Sequence, residues 1–299
     1  MELIKVTENT YYIKNATNIG IYKINESDVY LIDSGIDSDA AKKIMHIIEE
    51  KHWNIKGIIN THSHADHIGG NNYIQSKLNV PIYTSQIESY FINSPILEPA
   101  SLYGASPLLE LENKFLMAES SICQKIDKSI NLEILELKGH SIDMIGIKTP
   151  DNVYFLGDSL FSTETINKYH LCYIYDVSLF LKTLDYLETL KGTMFIPSHT
   201  EATGDLKELI NLNRLKVYEI CDTILSILNT PKTFENILKE MFVKYNLRMT
   251  TVQYVLIGST LKAYLSYLFK VNKITYKFLS NQMLWEVLWK KKNHVELSF

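Results

Sequence analysis

Cysteine is nearly absent: Cys123, Cys172 and Cys221 are the only three in 299 residues, far apart and odd in number. A disulfide framework is thereby excluded as the source of stability. No apolar run approaches the length of a membrane span. The first residues, Met1-Glu2-Leu3-Ile4-Lys5, lack the basic-then-apolar order of a secretory signal. These absences lead to the expectation of a cytoplasmic protein that does not associate with membranes. What is present is ordinary for a globular chain, with 46% hydrophobic and 21% charged residues. The length suits one large domain followed by a small one.

Charge is unevenly spread. Residues 231–299 carry 11 Lys plus Arg against 4 Asp plus Glu, a balance of +7, while residues 1–230 carry 19 against 30, or −11. A basic tail on an acidic body raises nucleic acid as a partner, against the plainer reading of a packing or dimerisation module with solvated lysines.

The stretch that organises the chain is Thr61-His62-Ser63-His64-Ala65-Asp66-His67-Ile68-Gly69-Gly70. It follows the apolar run Gly57-Ile58-Ile59, which reads as a short buried strand, and residues from Gly69 to Leu78 read as a helix. Residues two apart in extended chain point the same way, so His62 and His64 can grip one ion together. Asp66 and His67 fall where the chain turns and aim towards a second ion, at a helix start that favours an anion. A chance His-x-His-x-Asp-His in a chain this long is an event on the order of one in a few thousand. The motif resembles the signature of the metallo-β-lactamase superfamily.

Further strand ends carry further ligand types. Short β-rich runs at Leu3–Thr7, Thr10–Lys14, Asn18–Ile24 and Val29–Ile32 precede Asp33-Ser34-Gly35, and Asp37 can cap a helix reaching about Lys51. Strands are expected at Val80–Tyr83, Asn131–Leu137, Met144–Thr149 and Val153–Leu156. Gly139-His140-Ser141, Gly157-Asp158-Ser159 and Pro197-Ser198-His199 each follow a strand, and in this order they resemble the superfamily's later motifs. That resemblance implies an α/β fold, an αββα sandwich with the metal site at one edge of its two sheets. It also implies that His62, His64 and His140 hold one metal, that Asp66, His67 and His199 hold the second, and that Asp158 bridges both. Imidazole and carboxylate suit zinc, with iron or manganese as alternatives. Two such divalent ions would share a water of lowered pKa, making a hydroxide nucleophile available near neutral pH. Asp66, beside that hydroxide, is the expected catalytic carboxylate.

Other histidines are weighed separately. His46, His52 and His294 read as surface residues, whereas His170 lies in the loop 159–175 that should pass close to the site. Together with Lys168 and Tyr103 it is a candidate for substrate contact. Residues 85–129 lack a strand pattern, hold a charged helical stretch near Glu110–Met117, and read as a cover over the site. Beyond Asn229-Thr230-Pro231, helices from Thr233 to about Tyr245 and over Thr250–Phe269 precede a hairpin of Ile274–Leu279 with Met283–Trp289. The expected division is therefore 1–229, a catalytic domain, and 230–299, a small basic module that resembles a winged helix.

Among superfamily branches, the aspartate at 158 resembles the glyoxalase II, lactonase and RNA-processing groups more than zinc lactamases that place a cysteine there. The glyoxalase II likeness breaks after Asp158-Ser159-Leu160-Phe161, where Ser162-Thr163-Glu164-Thr165 stands instead of a glycine-rich stretch and an arginine. The resemblance implies a dinuclear hydrolase of a small ester, thioester or lactone. A metal-dependent nuclease or nucleic-acid-binding protein, and a mononuclear iron persulfide dioxygenase using a subset of the ligands, are the alternatives.

Overall fold

The computed structural model describes residues 1–128 and 130–288. Trp289 and His294, included in the expectations above, lie outside them. Among the described residues β1 (Glu2–Lys5), β2 (Thr10–Lys14), β3 (Ile19–Lys23) and β4 (Asp28–Ile32) form an antiparallel meander. It continues in parallel through β5 (Asn54–Ile59), β6 (Ile82–Thr84) and β7 (Cys123–Lys125) into one seven-stranded sheet. A second, four-stranded sheet has the order β11-β10-β9-β8, from β8 (Glu133–Glu136), β9 (Ile145–Lys148), β10 (Val153–Phe155) and β11 (Met194–Ile196).

The layers follow from side-chain alternation. In β2, Tyr12 enters the core between the sheets, while Tyr11 and Ile13 face the outer layer. In β4, Ile32 points inward and Val29 and Leu31 outward; in β5, Ile59 points inward and Ile58 outward. Both faces are covered, so these strands read as apolar runs. Gly20 allows the sheets to approach, because a Cβ there would lie 2.5 Å from the Phe155 ring.

On the outside of the first sheet, α1 (Ser38–Glu50) buries Ala41, Ile44 and Ile48. Its N-terminus is capped by Asp37, whose side chain accepts from the amides of Asp39 and Ala40. On the outside of the second sheet lie two helices from Val177–Leu187 and Lys207–Ile227. The result is the αββα sandwich implied by the motifs.

Several local expectations change. The helix read from Gly69 to Leu78 is α3 (Asn71–Leu78), and a separate short helix, α2 (Ala65–Ile68), precedes it across Gly69-Gly70. A Cβ at Gly69 or Gly70 would come within 2.0 Å of the Ile36 carbonyl or 2.3 Å of the Ser34 carbonyl, so this corner accepts only glycine. Residues 85–129 hold α4 (Gln86–Asn93), α5 (Leu97–Tyr103) and β7. The helix expected near Glu110–Met117 is reduced to a 3-10 turn at Leu109–Leu111. There Asn113 accepts from the Phe115 amide at 3.0 Å and donates to the Glu110 carbonyl at 2.7 Å, an alternative to helical pairing. The expected loop 159–175 contains α6 (Thr163–Tyr169), capped by Ser162 on the Thr165 amide.

With α7 and α8 denoting Val177–Leu187 and Lys207–Ile227, the chain continues into α9 (Phe234–Lys244) and α10 (Thr251–Lys270). Thr233 and Thr250 cap these two helices. The hairpin of β12 (Ile274–Leu279) and β13 (Gln282–Val287) follows. The buried face of α10, including Ile257, Leu261, Tyr264, Leu265 and Leu268, shares one core with Phe180, Leu184, Val217 and Ile224 of α7 and α8. The C-terminal helices are therefore packed continuously onto the outer layer. Among the described residues no helix is long and apolar enough to cross a membrane.

Candidate metal centre

Strand β5 delivers Asn60 and Thr61 to the sheet edge, and the chain then passes His62 and His64 before turning into α2. The second sheet brings His140 after β8, Asp158 after β10 and His199 after β11 to the same edge. Three ring nitrogens converge: His64 Nδ1 lies 3.0 Å from His62 Nε2 and 2.9 Å from His140 Nε2. Across from them, His199 Nε2 stands 3.1 Å from Asp66 Oδ2, and His67 Nε2 stands 3.6 Å from that same oxygen. Asp158 lies between the sets. Its Oδ1 is 3.2 Å from His67 Nε2, and its Oδ2 is 3.2 Å from His199 Nε2 and 3.4 Å from His140 Nε2.

The opposite ring nitrogens show which lone pairs are free. His140 Nδ1 donates to the Tyr173 carbonyl at 3.0 Å, and His199 Nδ1 donates to the Ala16 carbonyl at 2.8 Å. His67 Nδ1 donates to Asp33 Oδ2 at 2.8 Å. Asp33 also accepts from the Thr61 amide and hydroxyl, and that hydroxyl accepts in turn from His62 Nδ1 at 3.0 Å. Each of these rings thus directs its Nε2 towards the centre, with Nδ1 engaged from behind, the orientation that metal-binding histidines adopt.

Two observations show that the residues fit metal ions. His67 Nε2 and Asp158 Oδ1 are buried and face each other at 3.2 Å without a well-formed hydrogen bond, a state that a coordinated cation would relieve. The sets His62/His64/His140, His62/His67/Asp158 and Asp66/His67/His199 each bring their ligand atoms within 4.8 Å of one another.

Electrostatics divide the centre. Burial pushes His62 well below the usual imidazole value, His64 down to about 4 and His140 down to about 3. These three are neutral, the form that binds metal. Burial acts in the same direction on His67 and His199, but Asp66 and Asp158 outweigh it, with Asp33 adding to the effect at His67. His67 is raised well above its usual value and His199 to about 12. Burial also opposes ionisation of Asp66 and Asp158, yet the facing histidines hold both carboxyls well below their usual range.

A cavity of about 690 Å³ opens onto this edge and is lined on the centre's side by Asp66, His140, Asp158 and His199. Its other walls come from Phe115, from α6 through Lys168, and from α10 through Leu256 and Ile257. Lys168, a candidate for substrate contact, lines this cavity. His170 does not line the cavity: it ends α6 in a left-handed conformation and stacks on Tyr245, with ring centroids 5.0 Å apart. Tyr103, at the end of α5, does not line it either. His46 and His52 are exposed, as expected. The cover expected from residues 85–129 reaches the cavity through Phe115. Sequence reasoning missed Asp33, Glu88 and Glu98, three acidic residues set behind the ligands. Asp33 alone had a visible signal, its position directly after an apolar strand.

Sheet order and side-chain geometry define an αββα sandwich with a candidate metal centre at one edge of its sheets. The chain matches the Metallo-beta-lactamase superfamily over residues 13–199, more than half its length, and belongs to that superfamily. It is 32% identical over 140 residues to hydroxyacylglutathione hydrolase GloC of Haemophilus influenzae, covering 46% of this chain and 63% of that protein. It is 28% identical over 158 residues to a hydroxyacylglutathione hydrolase of Psychromonas ingrahamii, covering 52% of each. The chain thus spans about half to somewhat under two thirds of the length of these relatives. A beta-lactamase domain protein from Burkholderia ambifaria superposes with a TM-score of 0.71 at 15% identity, over 96% of this chain and 93% of that one. A metallo-beta-lactamase family protein from Thermus thermophilus gives 0.70 at 16% identity, over 94% and 99%. At such identities the likeness concerns the fold.

Proposed function

We propose that this chain is a dinuclear metallohydrolase acting on a small ester, thioester or lactone. The observation that carries the proposal is Asp158, whose two oxygens face the ligands of both sets. His62, His64 and His140 would hold one ion and Asp66, His67 and His199 the other, with zinc the favoured metal. Once bound, such a pair supplies a water of lowered pKa and Lewis acidity towards a carbonyl oxygen. Asp66 orients a water proton at its Oδ2, the oxygen that also accepts from Thr17 Oγ1 at 3.0 Å. Phe115, Leu256 and Ile257 exclude bulk water and hold an apolar part of the substrate, while Lys168 at the cavity wall selects an anionic one.

The hydroxyacylglutathione hydrolase relatives support a thioester or ester bond as the point of attack, while Ser162-Thr163-Glu164-Thr165, in place of a glycine-rich stretch and an arginine, speaks for a carrier other than glutathione. The charge of the basic tail is partly offset by its own contacts, Lys232, Lys270 and Lys277 pairing with Glu240, Asp176 and Glu286. A screen of esters, thioesters, lactones and phosphodiesters with metal-loaded protein in oxygen-18 water tests the proposal. Ester, thioester or lactone turnover with one solvent-derived label is expected. A requirement for dioxygen, with label arriving from it, would replace the hydrolase reading with the iron dioxygenase one.

A further inference from the structure

Glu88 belongs to the first turn of α4 and is 1% exposed, yet it touches none of the cavity that opens onto the metal centre. A carboxylate buried without a cation is costly unless its oxygens are fully hydrogen-bonded. Here they are. Oε2 accepts from the Ser63 amide at 3.0 Å and the Ser63 hydroxyl at 2.5 Å, while Oε1 accepts from the Ser141 hydroxyl at 2.6 Å and the Asp143 amide at 2.9 Å.

The donors reveal what this arrangement does. Ser63 lies between His62 and His64, and Ser141 directly follows His140. One carboxylate therefore fastens the loop from the first sheet to the loop from the second, and these loops carry all three nitrogens of one ligand set. Glu98, on α5, stands 3.7 Å from His64 Nε2 on the side away from the triad. Segment 85–129 is thus an inner brace as well as a wall of the cavity. The other ligand set has no such link to Glu88, since Asp66, His67 and His199 are held by Thr17, Asp33 and Ala16.

We propose that Glu88 is a positioning residue for the His62/His64/His140 ion, clasping the two loops through Ser63 and Ser141 so that the three nitrogens keep their mutual spacing. The inference rests on the two-metal reading above. An amide at this position accepts at one end only and turns its own donors towards the Ser63 or Asp143 amide at the other. Glu88→Gln should therefore weaken one ion by about 10- to 100-fold, the usual scale for an outer partner of metal ligands, and leave the other near its wild-type affinity.

The test is competition of metal-loaded full-length protein with a graded series of chelators. It is followed by metal analysis and by visible absorption of the cobalt(II)-substituted form. Wild type should hold two ions tightly; Glu88→Gln should hold one tightly and one weakly, with an altered cobalt spectrum. Should Glu88→Gln fail to fold, Ser63→Ala and Ser141→Ala each remove part of one arm of the clasp and should shift the same ion by less. Two ions held as in wild type, or both lost together with the fold across all three variants, would overturn the clasp. Fewer than two ions in wild type would instead overturn the two-metal reading on which it rests.

Discussion

His62, His64 and His140 offer three nitrogens from rings that burial keeps neutral, and 0% of His62 and 4% of His140 is exposed. Asp66 and His199 belong to a different environment: their side chains are 31% and 27% exposed, and facing charges together outweigh the opposing effect of burial. Only His67 of that second set is fully buried. One half of the centre is thus shaped by packing and the other by electrostatics. The nitrogen half owes its geometry to backbone loops fixed from behind. The carboxylate half combines supports from Thr17, Asp33 and Ala16 with mutual attraction of opposite charges at the cavity wall. Asp158 faces residues of both halves, as the Asp33–Thr61 link between His67 and His62 also does from behind.

The sharpest way to break this comparison is Asp66→Asn, which keeps size and one oxygen but removes the charge. Turnover should fall by more than about 100-fold, beyond what an outer-sphere change causes, while the His62/His64/His140 ion stays bound. Steady-state kinetics beside metal analysis would show it; equal loss of both ions would mean that the halves are not independently built.

A smaller effect is expected at Asp33→Asn. His67 would lose the carboxylate that fixes its tautomer, and the second ion should weaken by about 10- to 100-fold. The first ion should weaken less, because Asp33 reaches His62 only through the Thr61 hydroxyl. Chelator competition decides the order, and a larger loss at the first ion would reverse the assignment of supports.

The residues that meet at the sheet edge were legible in the sequence because each stands next to its own signal: His62, His64, Asp66 and His67 in one contiguous motif, and the others directly after strands. Their supports were not. Glu88 lies 25 residues from Ser63 and 53 from Ser141, and nothing about a glutamate near a helix start distinguishes a clasp from a solvated first-turn acid. His170 was misplaced for a related reason: nearness along the chain to Asp158 suggested nearness in space, but α6 intervenes and turns the ring onto Tyr245. The break between α2 and α3 at Gly69-Gly70 is instructive as well. The glycine pair reads as a helix opening, whereas it serves the close approach of backbone at Ile36 and Ser34.

The central claim, that two ion sites share one aspartate, is tested most directly by native mass spectrometry of metal-loaded wild type and Asp158→Ala side by side. Wild type should carry two metal ions per chain, and the variant should show reduced occupancy of both at the same metal concentration. A single ion in wild type, or a variant that keeps its full complement, would contradict the account.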